Sequence, residues 1–225
     1  MPDPARGRSS LLDPKLHAVL ERLHAAADGQ RRRLARAMLE RLLHRPRSTA
    51  EETDWAKDLY LSIGRAQGQF LYTLARGAGA RRVVEFGTSM GVSTVYLAAA
   101  VRDNGGGVVI GSELHPEKVR RARANLAEAG LADVVEIREG DALETLRDPG
   151  GPVDLALLDG WKQIYVPVLE LLTPHLRPGA VVVGDNMFTF WRALAPYRAH
   201  VRDASKGFQS QTLFLGDGTE LSVRL

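Results

Sequence analysis

The run Val83-Val84-Glu85-Phe86-Gly87-Thr88-Ser89-Met90-Gly91 decides how this chain is read. It is a short apolar strand entering a glycine-rich turn, with Ser93 and Thr94 placed to open a helix. The spacing E-x-G-x-x-x-G differs from the G-x-G-x-x-G of dinucleotide-binding turns, so a pyrophosphate cradle is not expected. Further β-branched runs follow at Val108-Val109-Ile110, Val134 to Ile137, Val153 to Leu158 and Ala180 to Val183. Helical stretches lie between them, near 92–102, 116–129, 142–147 and 163–172. Such alternation implies a parallel sheet with helices on both faces. It stops after Asp185, and Phe208 to Leu215 and Glu220 to Leu225 read as consecutive strands joined by Gly216-Asp217-Gly218, a hairpin signal.

Upstream, residues 11–45 carry apolar positions at helical spacing: Leu16, Val19, Leu20 and Leu23, then Leu34, Met38 and Leu42. They read as two amphipathic helices broken near Asp28-Gly29, whose apolar faces need the main domain or a second subunit as partner. Arg45-Pro46-Arg47-Ser48 is a linker. The expected organisation is a disordered tail at 1–10, a helical extension at 11–50 and one catalytic domain at 51–225. With 225 residues and 44% apolar content the chain can fill one such core. No apolar run approaches the roughly 20 residues of a membrane span, and Met1 to Ser10 lacks a signal-peptide core, so a cytoplasmic protein is expected. The absence of cysteine excludes disulfides and thiol chemistry. The net charge of +3 is diffuse, and Arg31-Arg32-Arg33 reads as a solvated helix face, so a nucleic-acid partner is not expected.

Strand–helix units followed by an antiparallel hairpin are the layout of a class I methyltransferase: Rossmann-like, with a seven-stranded, mostly parallel sheet. A dehydrogenase would continue with parallel strands. The sulfonium of S-adenosylmethionine carries no phosphate, which suits the turn at Gly87, and Glu85 is a sensible neighbour for a cation. Glu113, followed by Leu114, ends the second strand roughly 20 residues beyond the turn, where a carboxylate accepts from both ribose hydroxyls. Asp141, followed by Ala142, either accepts from the adenine amino group or caps the next helix.

The fourth strand ends in Asp159-Gly160-Trp161-Lys162 and the fifth in Asp185-Asn186. Two carboxylates and an amide form a hard-oxygen set suited to Mg²⁺. From about Leu61 onward the chain resembles the metal-dependent O-methyltransferases of the catechol and caffeoyl-CoA type. The resemblance rests on three stretches: Ser62-Ile63-Gly64-Arg65-Ala66-Gln67-Gly68-Gln69, the run Asp159-Gly160-Trp161-Lys162-Gln163-Ile164-Tyr165, similar to the family's D-x-W-K-x-x-Y, and Asp185-Asn186. It implies a divalent cation on Asp159, Asp185 and Asn186, and Lys162 as the base. It implies cofactor contacts at Ile63, Glu85, Gly87, Ser93, Glu113, Leu114, Asp141, Ala142 and Asp159. It further implies a substrate pocket from Leu61, Met90, Trp161 and Phe190, and a homodimer.

The chain also departs from the catechol enzyme. No acid lies on the strand Phe208 to Leu215, where that enzyme has a glutamate orienting the second hydroxyl; Gln211 or Thr212 falls nearby. Leu59, Leu61 and Phe190 differ from its gate residues. The expected reaction is methyl transfer to a hydroxyl of a small vicinal diol chelated by the cation, with Lys162 taking the proton. The alternatives are a hydroxylated pyrimidine of tRNA, a sugar diol of a natural product, and a cofactor-binding scaffold without chemistry. The intact Asp159, Lys162, Asp185 and Asn186 argue against the last.

Overall fold

A computed structural model describes residues 9–30 and 62–225. The expectations for residues 1–8, the Arg31–Arg33 cluster, the second N-terminal helix, the linker, Leu59 and Leu61 lie outside the described residues. Strand β1 (Arg82–Phe86), the strand of the opening motif, is buried from Val83 on. It pairs in parallel with β2 (Val108–Glu113) on one side and β4 (Val153–Leu158) on the other. β3 (Val135–Glu139) extends the sheet beyond β2, and β5 (Leu176–Gly184) extends it beyond β4. The hairpin strands β6 (Phe208–Leu213) and β7 (Thr219–Arg224) close the far edge antiparallel, giving the order β3-β2-β1-β4-β5-β7-β6. This is the expected seven-stranded, mostly parallel sheet.

Continuous β-branched runs suit strands covered on both faces. One face is covered by α1 (Pro14–Gly29), α2 (Arg65–Gly77), α3 (Val92–Asp103) and α4 (Pro116–Glu128). The other is covered by α5 (Ala142–Thr145), α6 (Tyr165–Leu172) and α7 (Ala195–Arg202). α3 is buried without a break from Val92 to Val101 because α1 and α2 pack over it. Contact with α2 is close: a Cβ at Gly68 would fall 2.2 Å from the Tyr96 ring.

The partner of the first N-terminal helix is the domain itself. Asp13 caps α1 through the N–H groups of Lys15 and Leu16, Pro14 occupies its first turn, and Leu16, Val19, Leu20 and Leu23 are all buried. His24 Nε2 meets the buried Tyr96 hydroxyl at 3.0 Å, and Arg22 donates to Asn125 at 3.0 Å and Glu128 at 2.6 Å on α4. Burial pushes the His24 pKa down.

Several boundaries differ from the sequence reading. Ser9 and Ser10, expected in the disordered tail, begin a 3-10 turn, and the Ser10 N–H donates to Asp103 at 2.8 Å. β5 starts at Leu176, before Ala180, because its first residues pair with Val153 across a register shift. α7 has no counterpart among the helical stretches read from the sequence; its buried positions are only Tyr197, Arg198 and Val201, too few to register as a helical stripe. No helix among the described residues is long and apolar enough to cross a membrane.

Candidate active site

The sheet order reverses between β1 and β4, and the loops leaving these two strands meet there. In open α/β sheets this is where ligands bind. Gly87 (φ 98°) makes the meeting possible, since a Cβ there would lie 2.7 Å from the backbone of Asp159 and Gly160. The Asp159 N–H donates to the Phe86 carbonyl at 2.8 Å, so the two loops are stitched backbone to backbone.

Glu85 lies beneath the turn with no exposure. Its Oε2 accepts from the hydroxyls of Thr88 at 3.0 Å and Thr94 at 2.5 Å. Burial raises its pKa, and these hydroxyls oppose the rise. Ser93 and Thr94 lie in the first turn of the helix as expected, with Gly91, in the left-handed region at φ 84°, as the N-cap, and the Thr94 hydroxyl serves the buried acid. Glu85 Oε1 is buried without a hydrogen-bond partner. Met90, expected in the substrate pocket, is 1% exposed and packed away, its carbonyl accepting from Asn125 at 2.9 Å.

At the end of β2, Glu113 is held by two backbone donors, Ser89 N–H at 2.8 Å on Oε2 and His115 N–H at 2.9 Å on Oε1. Two charge-assisted bonds fix its carboxylate over the glycine-rich turn. Leu114 is half-buried beside it, and Ile63 is buried at the start of the segment leading into α2. Asp141 caps α5, its side chain accepting from the Leu143 N–H at 2.9 Å, and Ala142 beside it is buried.

The chemical groups converge at the ends of β4 and β5. Leu158 and Gly184 are register partners, and the Asp185 N–H donates to the Leu158 carbonyl at 3.0 Å. Asp159 and Asp185 therefore follow adjacent strand positions, about 5 Å apart in the sheet. Lys162, in the 3-10 turn Lys162–Ile164, donates to Asp159 Oδ1 at 3.3 Å and to the Tyr165 hydroxyl at 2.9 Å. Its ammonium lies 5.7 Å from the Phe190 ring centroid, and Trp161 packs half-buried at the same rim. The fully buried Tyr165 hydroxyl in turn donates to the Asp185 carbonyl at 3.4 Å.

Burial pushes Asp185 up to about 7, with the Asp159 carboxylate adding to the rise. Asp159 is also raised by burial, against the pull of Lys162. Two acids that disfavour each other's charge are a fit for a cation. Among the described residues no group of three His, Cys, Asp or Glu side chains gathers, so such a cation would depend on an amide as third protein ligand. Asn186 is in place in sequence, held in the left-handed region at φ 66°, which asparagine tolerates better than most residues.

Sequence reasoning passes over two residues of the site, Gln67 and Tyr165, although both lie in quoted stretches. Gln67 Nε2 donates to Asp185 Oδ1 at 2.7 Å. The signals that could have found them are the i, i+3 spacing from Lys162 to Tyr165 and a glutamine three residues beyond the Gly64 helix start.

A family profile described as a methyltransferase domain matches residues 84–187. The chain is 41% identical over 128 residues to catechol O-methyltransferase of Mycobacterium tuberculosis, an alignment covering 56% of this chain and 57% of that protein. It thus spans little more than half the length of that curated relative. The cofactor-bound Rv0187 structure from MTB superposes with a TM-score of 0.68 at 30% identity, over 84% of this chain and 95% of that one. The Bacillus cereus O-methyltransferase in complex with SAH gives 0.69 at 25% identity, over 85% and 97%.

Proposed function

We propose that this chain is an S-adenosylmethionine-dependent O-methyltransferase of the catechol and caffeoyl-CoA type, which moves the cofactor's methyl group onto one hydroxyl of a small vicinal diol such as a catechol, assisted by a divalent cation. The observation that carries the reading is the facing pair Asp159 and Asp185, with Lys162 bonded to the first, at the strand ends beside the Gly87 turn.

Glu113 binds the ribose hydroxyls with a carboxylate already oriented by Ser89 and His115. Gly87, without a side chain, lets the loop after β4 close against the turn and so brings Asp159 beside the place of the cofactor. Asp159, Asp185 and Asn186 would hold the cation. A hard divalent cation there would supply Lewis acidity, easing deprotonation of the acceptor hydroxyl. Lys162, having released its own proton to solvent, accepts that proton as a neutral amine, and Tyr165 fixes the place of its nitrogen between Asp159 and the Asp185 main chain. Trp161 and Phe190 wall the acceptor ring. Positioning of the nucleophile in line with the sulfonium supplies most of the rate gain.

The test is a methyl-transfer screen over catechols, caffeoyl esters, sugar diols and bulk tRNA, each with and without EDTA. Transfer to a catechol or caffeoyl ester that EDTA abolishes and Mg²⁺ restores is expected. Transfer confined to tRNA, or undiminished in chelator, would replace this reading.

A further inference from the structure

Asp185 is held at its main chain and at its side chain by different parts of the molecule. Its N–H is pinned to β4 through the Leu158 carbonyl. Its carboxylate accepts, at 2.7 Å, from Gln67 Nε2 on the first turn of α2. Both partners of the bond are nearly sealed from solvent, Gln67 at 8% and Asp185 at 5% exposure. They border a small, mostly apolar cavity with Ile63, Leu157, Val183 and Thr219. In such surroundings a hydrogen bond to a carboxylate is strong, and its loss leaves the acid poorly placed.

The orientation of the Gln67 amide is determined from both ends. Its Oε1 accepts the Gly64 N–H at 3.3 Å, closing the helix start, while Nε2 faces Asp185. A reversed amide would set carbonyl against carboxylate and amine against N–H. A third element leaves room for it: at Gly216 (φ 58°), in the β6–β7 turn, a Cβ would lie 2.1 Å from the Gln67 amide carbon. That turn is tied to the stretch after Asn186 by Met187 N–H to Gly218 O at 2.9 Å and Phe188 N–H to Asp217 O at 2.8 Å. The start of α2, the end of β5 and the hairpin turn thus converge on one side-chain amide.

We propose that Gln67 is a positioning residue that orients the Asp185 carboxylate for a divalent cation, and that Gly216 supplies the space its amide needs. A neutral donor suits this role because it fixes the acid's geometry while leaving its negative charge for the cation, which a lysine or arginine there would neutralise. The inference rests on the metal-assisted reading above.

The test measures Mn²⁺ binding by electron paramagnetic resonance and S-adenosylhomocysteine binding by calorimetry, for the parent protein, Gln67→Met and Gly216→Ala. Gln67→Met keeps the volume and removes the donor; Gly216→Ala keeps the donor and displaces it. Both are expected to weaken Mn²⁺ about 10–100-fold, the usual effect of losing an outer partner of a metal ligand. Affinity for S-adenosylhomocysteine and thermal midpoint should change little in Gln67→Met, whereas a merely structural role would move the midpoint and spare Mn²⁺. A folded Gln67→Met protein that binds Mn²⁺ within twofold of the parent overturns the proposal. If the parent takes up no Mn²⁺ the metal reading falls, and metal-free crystal structures then judge the positioning role separately. An Asp185 carboxylate that swings away in Gln67→Met sustains that role, and one that stays in place overturns it.

Discussion

Lys162 has two hydrogen-bond partners of opposite consequence: an acid that competes for its charge and a phenol that only places it. Lys162→Ala is expected to leave cofactor and cation binding intact while the rate of methyl transfer falls 10²–10⁴-fold, the range for losing a general base. Raising the pH should recover part of the loss as hydroxide takes over, and a flat pH response in the variant would remove Lys162 from the proton path. Glu113 presents a different case, since its two backbone donors hold it in place before any ligand arrives. Glu113→Ala should weaken S-adenosylmethionine and S-adenosylhomocysteine equally, by about 1.5–3 kcal/mol per ribose bond lost. Unchanged affinity by calorimetry would place the ribose elsewhere. These residues are legible in the sequence because an acid at a strand end carries its own geometry, and because a lysine is informative in a chain with only five. Gln67 is not legible, because its partner lies 118 positions away and no local pattern announces the pairing.

Among the elements, α3 and the terminal hairpin show what periodicity can and cannot convey. Ten consecutive buried residues give α3 no amphipathic stripe; its register is explained only once α1 and α2 lie over it. The hairpin is visible from its turn, yet the sequence offers no hint that Glu220 on β7 is fully buried. Arg202 on α7 donates to it at 2.8 and 2.9 Å, and Ser210 on β6 at 2.7 Å. Burial alone would raise the Glu220 pKa, but these donors and Thr212 outweigh it and hold the carboxyl below its ordinary 4.5. A depressed acid stabilises the fold fully above its unfolded value and loses that contribution as pH falls through the folded one. Glu220→Gln should therefore destabilise by about 1–3 kcal/mol at pH 7. The gap to the parent should narrow below about pH 4.5. A denaturant-measured gap that is constant from pH 7 to pH 3 would contradict the ion pair's role in joining α7 to the hairpin.

At the scale of the whole molecule, the sheet order separates binding from chemistry. Glu113, the candidate ribose acid, ends β2, the close-approach glycine follows β1, and the two acids of the candidate cation site end β4 and β5. This division is readable in the sequence, because parallel strands put all their carboxyl ends on one edge. The reach of α2 and the hairpin turn into the site is not, since it depends on tertiary packing. One consequence can be measured. Asp159→Ala and Asp185→Ala remove groups on strands other than β2, so the principal cofactor anchor is untouched. Asp185 is also an acid that the fold keeps buried beside a like charge, so its removal strips away no ion pair, while Asp159→Ala leaves Lys162 with the Tyr165 hydroxyl as its partner. Each variant should fold and bind S-adenosylhomocysteine with less than about tenfold loss, while methyl transfer falls to background. EDTA should have the same effect on the parent, and Mg²⁺ should reverse it in the parent alone. Full activity in excess chelator, or an Asp185→Ala protein that still turns over, would leave Lys162 to act by ordinary acid–base chemistry and reduce the two aspartates to supports of their loops.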